Sequence, residues 1–203
     1  MKLILQVFTQ NLFLFYTFMI VLSLMIGSFL NVIIYRFPIM LQQSWREQCL
    51  DFLGMPSEEK PQNFNLSLPS SHCPECKHSL RWYENIPLLS YLFLRGRCAY
   101  CKVKISFRYS LVELITLLLS IVIIQAYGMS IETLLGLVFT WFLIPMVMID
   151  IDHQILPDQM TLLFMWIGLL VSVIPVWVSP QDAILGACAG DRKSTRLNSS
   201  HRL

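Results

Sequence analysis

The chain has 203 residues, 55 % hydrophobic and 14 % charged, with a formal net charge of +2 and a mean hydropathy of +0.58. An apolar share above that of soluble domains, gathered into long runs, excludes a soluble globular enzyme and predicts an all-α polytopic membrane protein. A membrane β-barrel is excluded because no segment alternates polar and apolar residues, and no basic surface interleaved with aromatics suggests nucleic acid.

The runs at 12–35, 109–127, 131–149 and 161–178 each approach or exceed the roughly 18–20 residues that cross a hydrocarbon core. Met1-Lys2 before an apolar run resembles a signal peptide. With one positive charge and no small-x-small site before Arg36, it is read as an uncleaved first span, residues 1–36. That span ends in Gly27-Ser28-Phe29-Leu30-Asn31 and then Tyr35-Arg36-Phe37-Pro38. Gly27, Ser28 and Asn31 share a helix face that suits close helix packing, with a substrate contact as the alternative. Tyr35 and Arg36 mark the membrane interface, and Pro38 is expected to stop the helix.

A loop spans residues 37–108, and ten of the fifteen Lys and Arg lie from Arg36 to Arg108. By the positive-inside rule this loop is cytoplasmic and the N-terminus outside. Gln42 to Glu47 is expected to form a short surface helix, followed by a Pro/Ser/Asn-rich loop to Ser70, in which Cys49 is incidental. Next come Cys73-Pro74-Glu75-Cys76 and Cys98-Ala99-Tyr100-Cys101, two C-x2-C knuckles. Four thiolates close a tetrahedral site, and zinc is its usual occupant; redox chemistry or two disulfides are the alternative. A reducing compartment argues against disulfides. A site with four cysteines has no open position, so a zinc-ribbon-like insertion that staples the loop is expected rather than a catalytic metal. His72 and His78 flank the knuckles as surface residues. The aromatic stretch Leu80 to Tyr91 is either the ribbon's core or a membrane-surface face that receives a substrate or cofactor.

Spans two and three form a hairpin turning at Tyr127-Gly128-Met129-Ser130, with Glu113 inside span two and Pro145 inside span three. An intramembrane acid such as Glu113 is expected to pair or to bind something. At the cytoplasmic end of span three lies Asp150-Ile151-Asp152-His153, followed by Leu156-Pro157-Asp158. The acids read as solvated carboxylates at a helix end, as metal ligands with His153, or as part of an acid–base pair. Two carboxylates sharing a site hold one proton between them, so one can activate water while the other donates. Asp152, at i+2, diverges by about 200° from Asp150 on a helix, so the partner must be distant in sequence. A fourth span follows to Trp177, and a fifth begins at Asp182 before hydrophobicity collapses at Gly190. No internal repeat is found.

In their order along the chain, Gly27-Ser28-Phe29-Leu30-Asn31…Tyr35-Arg36, the knuckles around Glu84-Asn85-Ile86-Pro87, Arg108-Tyr109…Glu113-Leu114 and Asp150-Ile151-Asp152-His153…Leu156-Pro157-Asp158 resemble the prepilin peptidases. These form the type IV leader peptidase family of bacterial inner-membrane aspartic proteases. The resemblance covers about residues 20–190, with 109–190 as the membrane peptidase core. It implies cleavage of the basic leader of type IV prepilins and type II secretion pseudopilins at the cytoplasmic face. It also implies methylation of the new N-terminus with S-adenosylmethionine. Asp150 is implied as the first catalytic aspartate, with Asp152, His153 and Asp158 beside it or facing the substrate. Acids there suit a basic leader. The second aspartate belongs to a Gly-x-Gly-Asp motif expected beyond residue 203. Gly190-Asp191 imitates it but lies too close and lacks the first glycine. Asp191 to His201 resembles a translated sequencing-library adapter, so residues 191–203 are expected to be non-native and the chain an inactive fragment. A zinc-ribbon membrane scaffold without catalysis, and a transporter using Glu113 and Asp150, are the competing readings.

Overall fold

The computed structural model describes residues 11–55, 64–69, 72–73, 75–79, 88–174 and 176–199; for residue 89 and residues 191–199 it describes the backbone only. Glu84-Asn85-Ile86-Pro87, most of the aromatic stretch before Tyr91, the start of the first span and the end of the tail lie outside the described residues. Among the described residues the helices are α1 (Leu12–Phe52), α2 (Leu89–Phe93), α3 (Phe107–Tyr127), α4 (Ile131–His153), α5 (Asp158–Ser172) and α6 (Pro180–Ser199), with no strands. Three of them, α1, α3 and α4, are long and apolar enough to cross a membrane. The chain divides into two compact units, Met1–Gln154 and Ile155–Leu203.

In the first unit α1, α3 and α4 pack together. One apolar layer contains Phe15, Met19, Ile124 and Leu137; a second contains Leu30, Ile34, Val112 and Ile144. The small buried side chains of Ser23, Thr116 and Ser120, together with Gly27, form the α1–α3 seam between them. Each hydroxyl donates to the carbonyl four residues earlier: Ser23 to Met19, Thr116 to Val112, and Ser120 to Thr116, at 2.7–2.8 Å. This satisfies the hydroxyls without water, as a lipid environment requires. Trp141 Nε1 donates to Ser120 Oγ at 3.1 Å, tying α4 to the same seam. A Cβ on Gly27 would lie 3.0 Å from Glu113 Cα. Asn31 Nδ2 donates to the Tyr109 carbonyl at 2.9 Å. The Gly27–Asn31 face is therefore a helix-packing face. Phe13, Met25, Val122 and Val147 point outward, exposed as lipid-facing side chains are.

The α3–α4 hairpin turns where expected. Gly128 takes φ +62° and Ser130 caps α4 by accepting the Thr133 N–H. The end of the first span differs. α1 runs 41 residues, through Pro38, and absorbs the short surface helix expected at 42–47. Its length is about 60 Å, twice the hydrocarbon core. Proline lacks an N–H and clashes with the carbonyl four residues back. Here Pro38 is buried and good helix formers follow it. Two residues earlier the Arg36 guanidinium donates to the carbonyls of Asn65, Leu66 and Pro69 at 2.6–3.3 Å, holding this stretch against the 64–69 loop. Asn65 Oδ1 in turn accepts the Ser67 and Leu68 N–H groups and folds that loop into a turn. Arg36 is only 8 % exposed, a staple rather than an interface marker. Pro145 lies buried within α4.

In the second unit, α5 covers only Asp158–Ser172, shorter than the 161–178 span expected; bends follow, and α6 starts at Pro180. Ser179 caps α6, accepting the Asp182 N–H and donating to its carboxylate.

Candidate functional site

The two C-x2-C segments fold as copies of one turn, matching their shared Cys-x-x-Cys-Lys pattern at Cys73–Lys77 and Cys98–Lys102. In the first, the Cys73 N–H donates to the His78 carbonyl and the Lys77 N–H to the Cys73 carbonyl. In the second, the Cys98 N–H donates to Val103 and the Lys102 N–H to Cys98. Lys77 and Lys102, four residues after each first cysteine, share the left-handed conformation (φ 57° and 61°). Isolated bridges His72–Ser79 and Arg97–Lys104 close each copy. The copies meet through His78 and Tyr100, whose rings lie 3.6 Å apart. His78 is thus half-buried between the knuckles rather than a surface residue, with Nε2 buried and unpartnered among the described residues.

This brings Cys73, Cys76, Cys98 and Cys101 together, all four Sγ atoms within 4.8 Å of one another. Cys73 and Cys98 are buried while Cys76 and Cys101 are exposed, and none is in a disulfide. Cys73 Sγ and Cys101 Sγ are 3.7 Å apart. A tetrahedron with Zn–S of about 2.3 Å has edges of about 3.8 Å, so the cluster fits zinc. N–H groups of Cys101 and Tyr100 pull the Cys98 thiol down to about 7. At Cys101 the Val103 N–H also pulls down, but desolvation and the neighbouring sulfurs outweigh it and raise the thiol to about 11. One ligand is therefore poised as a thiolate near neutrality, while the crowding of four sulfurs opposes further ionisation until a cation joins them.

The acidic motif closes α4. Ile149 is fully buried and Ile151 exposed, so the helix's packed face passes through position 149. Asp152, three residues on, lies on that face and pairs with Arg108 at the start of α3. Asp150 is turned about 100° from Ile149. Its carboxylate is exposed and makes no hydrogen bond or ion pair among the described residues. Its carbonyl accepts the N–H of Gln154, which ends the helix in the left-handed conformation (φ 53°). His153 is exposed in the last turn of α4. Asp158 opens α5 in the second unit, where a carboxylate complements the helix dipole. Apart from the cysteine cluster, no group of three or more His, Cys, Asp or Glu side chains converges on a common point among the described residues. A metal at the acidic motif thus has no assembled ligand set here.

Two contacts carry no local sequence signal. Glu113, buried in α3, accepts the backbone N–H of Leu88 at 2.8 Å. The intramembrane acid is therefore paired, with the segment that enters α2. The Arg108–Asp152 pair joins residues 44 positions apart.

Residues 21–127 match the model of the bacterial peptidase A24 N-terminal domain, and residues 137–190 that of the type IV leader peptidase family. Relatives named prepilin leader peptidase/N-methyltransferase include one from Pseudomonas putida, 48 % identical over 176 residues, 87 % of this chain and 61 % of the relative. Another, from Neisseria gonorrhoeae, is 47 % identical over 84 % of this chain and 60 % of the relative. A third, from Aeromonas salmonicida, is 45 % identical over 87 % and 62 %. The chain thus spans about three fifths of the length of the curated relatives it matches. No solved structure matches it significantly.

Proposed function

Since the chain belongs to the type IV leader peptidase family, we propose that it is part of a prepilin leader peptidase that uses Asp150 as one of two catalytic aspartates. The observation that carries this reading is the Asp150 carboxylate: exposed and unengaged among the described residues, in the last turn of a membrane-length helix, within the stretch that matches the family. A carboxylate with no structural partner is free to share a proton with a second one and to activate water. The second carboxylate is expected in sequence following Gly190, where the family match ends and the adapter-like string begins. The adapter-like string from Asp191 to His201 then contributes nothing to the peptidase.

The substrates are type IV prepilins and pseudopilins, whose basic leaders suit the acidic end of α4. His153 and Asp158 face them, and Asp152 supports Asp150. The protein sits in the bacterial inner membrane with its N-terminus outside and both the cysteine loop and the acidic motif cytoplasmic, supported by the Lys and Arg concentrated in 36–108. Zinc on Cys73, Cys76, Cys98 and Cys101 supplies structural closure of the loop. S-adenosylmethionine supplies the methyl group for the new N-terminus, an activity that the relatives' names support.

Sequencing the genomic locus across the Gly190 codon tests the foreign tail. A frame that continues to a Gly-x-Gly-Asp supports the two-aspartate reading; a frame that ends as written leaves a zinc-ribbon scaffold. In the full-length protein, Asp150→Ala should lower prepilin cleavage at least about a hundredfold while methylation of a pre-cleaved pilin persists. Cleavage at the wild-type rate would remove Asp150 from the mechanism.

A further inference from the structure

We infer that Arg108 and Asp152 link the cysteine module to the Asp150 end of α4, so that order at the metal site sets the geometry of the acidic site. The link is continuous along the chain. From Cys101 to Arg108 nearly every backbone position is held. The Lys102 N–H donates to Cys98, Val103 accepts from Cys98, Lys104 bridges Arg97, and the Ile105 N–H donates to Gly96 at 2.8 Å. Ser106 then caps α3 by accepting the Arg108 N–H. The second knuckle therefore runs into the first turn of α3 through a short, largely hydrogen-bonded connection. Arg108, in that turn, reaches across to Asp152, two residues past Asp150. Glu113, one turn further along α3, holds the Leu88 N–H where the chain enters α2 and the second knuckle. α3 thus grips the module on one side and the end of α4 on the other.

Asp152 is in this account a positioning residue acting through Arg108. The α4 end needs such a tie. Gln154 stops the helix in the left-handed conformation, and α4 beyond Ile149 has little other cover: Asp150, Ile151 and His153 are all exposed. A pair at this partly exposed position is worth up to about a fivefold change in the opening of a terminal helical turn. The catalytic consequence rests on the peptidase reading; the mechanical one does not.

The test uses the full-length, zinc-loaded protein and two readouts. Amide hydrogen exchange over residues 150–156 is measured before and after the metal is stripped with a chelator. In the wild type, stripping should speed exchange about fivefold. In Asp152→Asn, exchange should already be faster with zinc in place, and stripping should add nothing. The reversed pair, Arg108→Asp with Asp152→Arg, should restore the wild-type response; Arg108→Lys, which keeps the charge, should retain most of it. For cleavage, Asp152→Asn should lower kcat at least about fivefold with KM within about twofold. The link is overturned if stripping accelerates wild type and Asp152→Asn equally, if it accelerates neither, or if the reversed pair shows the summed defect of its single substitutions. Should Asp150→Ala still cleave, the peptidase reading falls while the exchange result stands or falls by itself.

Discussion

The cysteine module and the acidic end of α4 are built on opposite plans. The module takes all four ligands from one short stretch, using the same turn twice, and buries two of them. The end of α4 presents one carboxylate outward and spends its neighbour on a structural pair. A four-cysteine cluster that could hold a metal can be local, because two neighbouring turns supply every sulfur. On the proposed reading of Asp150, an acid–base site needs a group that the local fold leaves unsatisfied and a partner from elsewhere in sequence. Substituting a cysteine of the first should therefore break structure, whereas substituting the outward carboxylate of the second, Asp150, should leave structure intact.

The largest expected effect sharpens that contrast. Cys98→Ser should abolish stoichiometric zinc and open residues 72–105 to protease, because structural zinc sites contribute on the order of 10 kcal/mol to folding. Asp150→Ala should leave zinc content and thermal stability within about 0.5 kcal/mol of wild type. A protein lacking Cys98 that still holds one zinc and resists protease would erase the distinction. Acidification probes the same site. Cys98 is lowered from its ordinary 9.0 to about 7. The stabilisation linked to its thiolate is therefore present above 9 and is lost as pH falls through 7. Zinc retention against a competing chelator should fall at least about tenfold per pH unit below neutrality, since each bound thiolate displaces a proton. A flat profile between pH 5 and 7, on the order of the range where thiols reprotonate, would argue that the sulfurs do not hold the metal.

Smaller effects belong to the helix seam that supports both regions. Gly27→Val would place its Cβ about 3.0 Å from backbone on α3, and overpacking of this kind costs about 1–3 kcal/mol. The thermal midpoint in detergent should fall, and an unchanged midpoint would mean that α1 and α3 stand further apart. Ser120→Ala removes the acceptor for Trp141 Nε1 and should cost about 1 kcal/mol. Trp141→Phe tests this independently: combined with Ser120→Ala it should add little, whereas full additivity would show that the two side chains act separately.

The spans α3 and α4 and the turn between them are legible because Gly128 and Ser130 punctuate two unbroken apolar runs. The cysteine cluster is legible because thiol spacing constrains geometry directly. What the sequence hides is set by tertiary contact. Pro38 carries a stop signal, but the carbonyls of Asn65, Leu66 and Pro69, nearly thirty residues on, hold Arg36 and the helix continues. The span expected to reach residue 178 ends at Ser172, because hydropathy alone does not register where bends begin. Asp150 is legible as a member of an acidic motif. That it is unengaged while Asp152 is paired depends on where α3 starts, which no local pattern reports.

The length of α1 between Gly27 and Arg36 has one more consequence. Nine residues are two and a half turns, so the two side-chain positions face opposite sides of the helix about 13 Å apart along its axis. One touches α3 and the other the 64–69 loop, and both contacts tolerate little displacement. This stretch therefore acts as a ruler. A single residue inserted or deleted there would swing Arg36 about 100° away from its carbonyls even if every substitution in the same stretch were tolerated. A change of length there breaks register with both contacts at once, which no single substitution between them does.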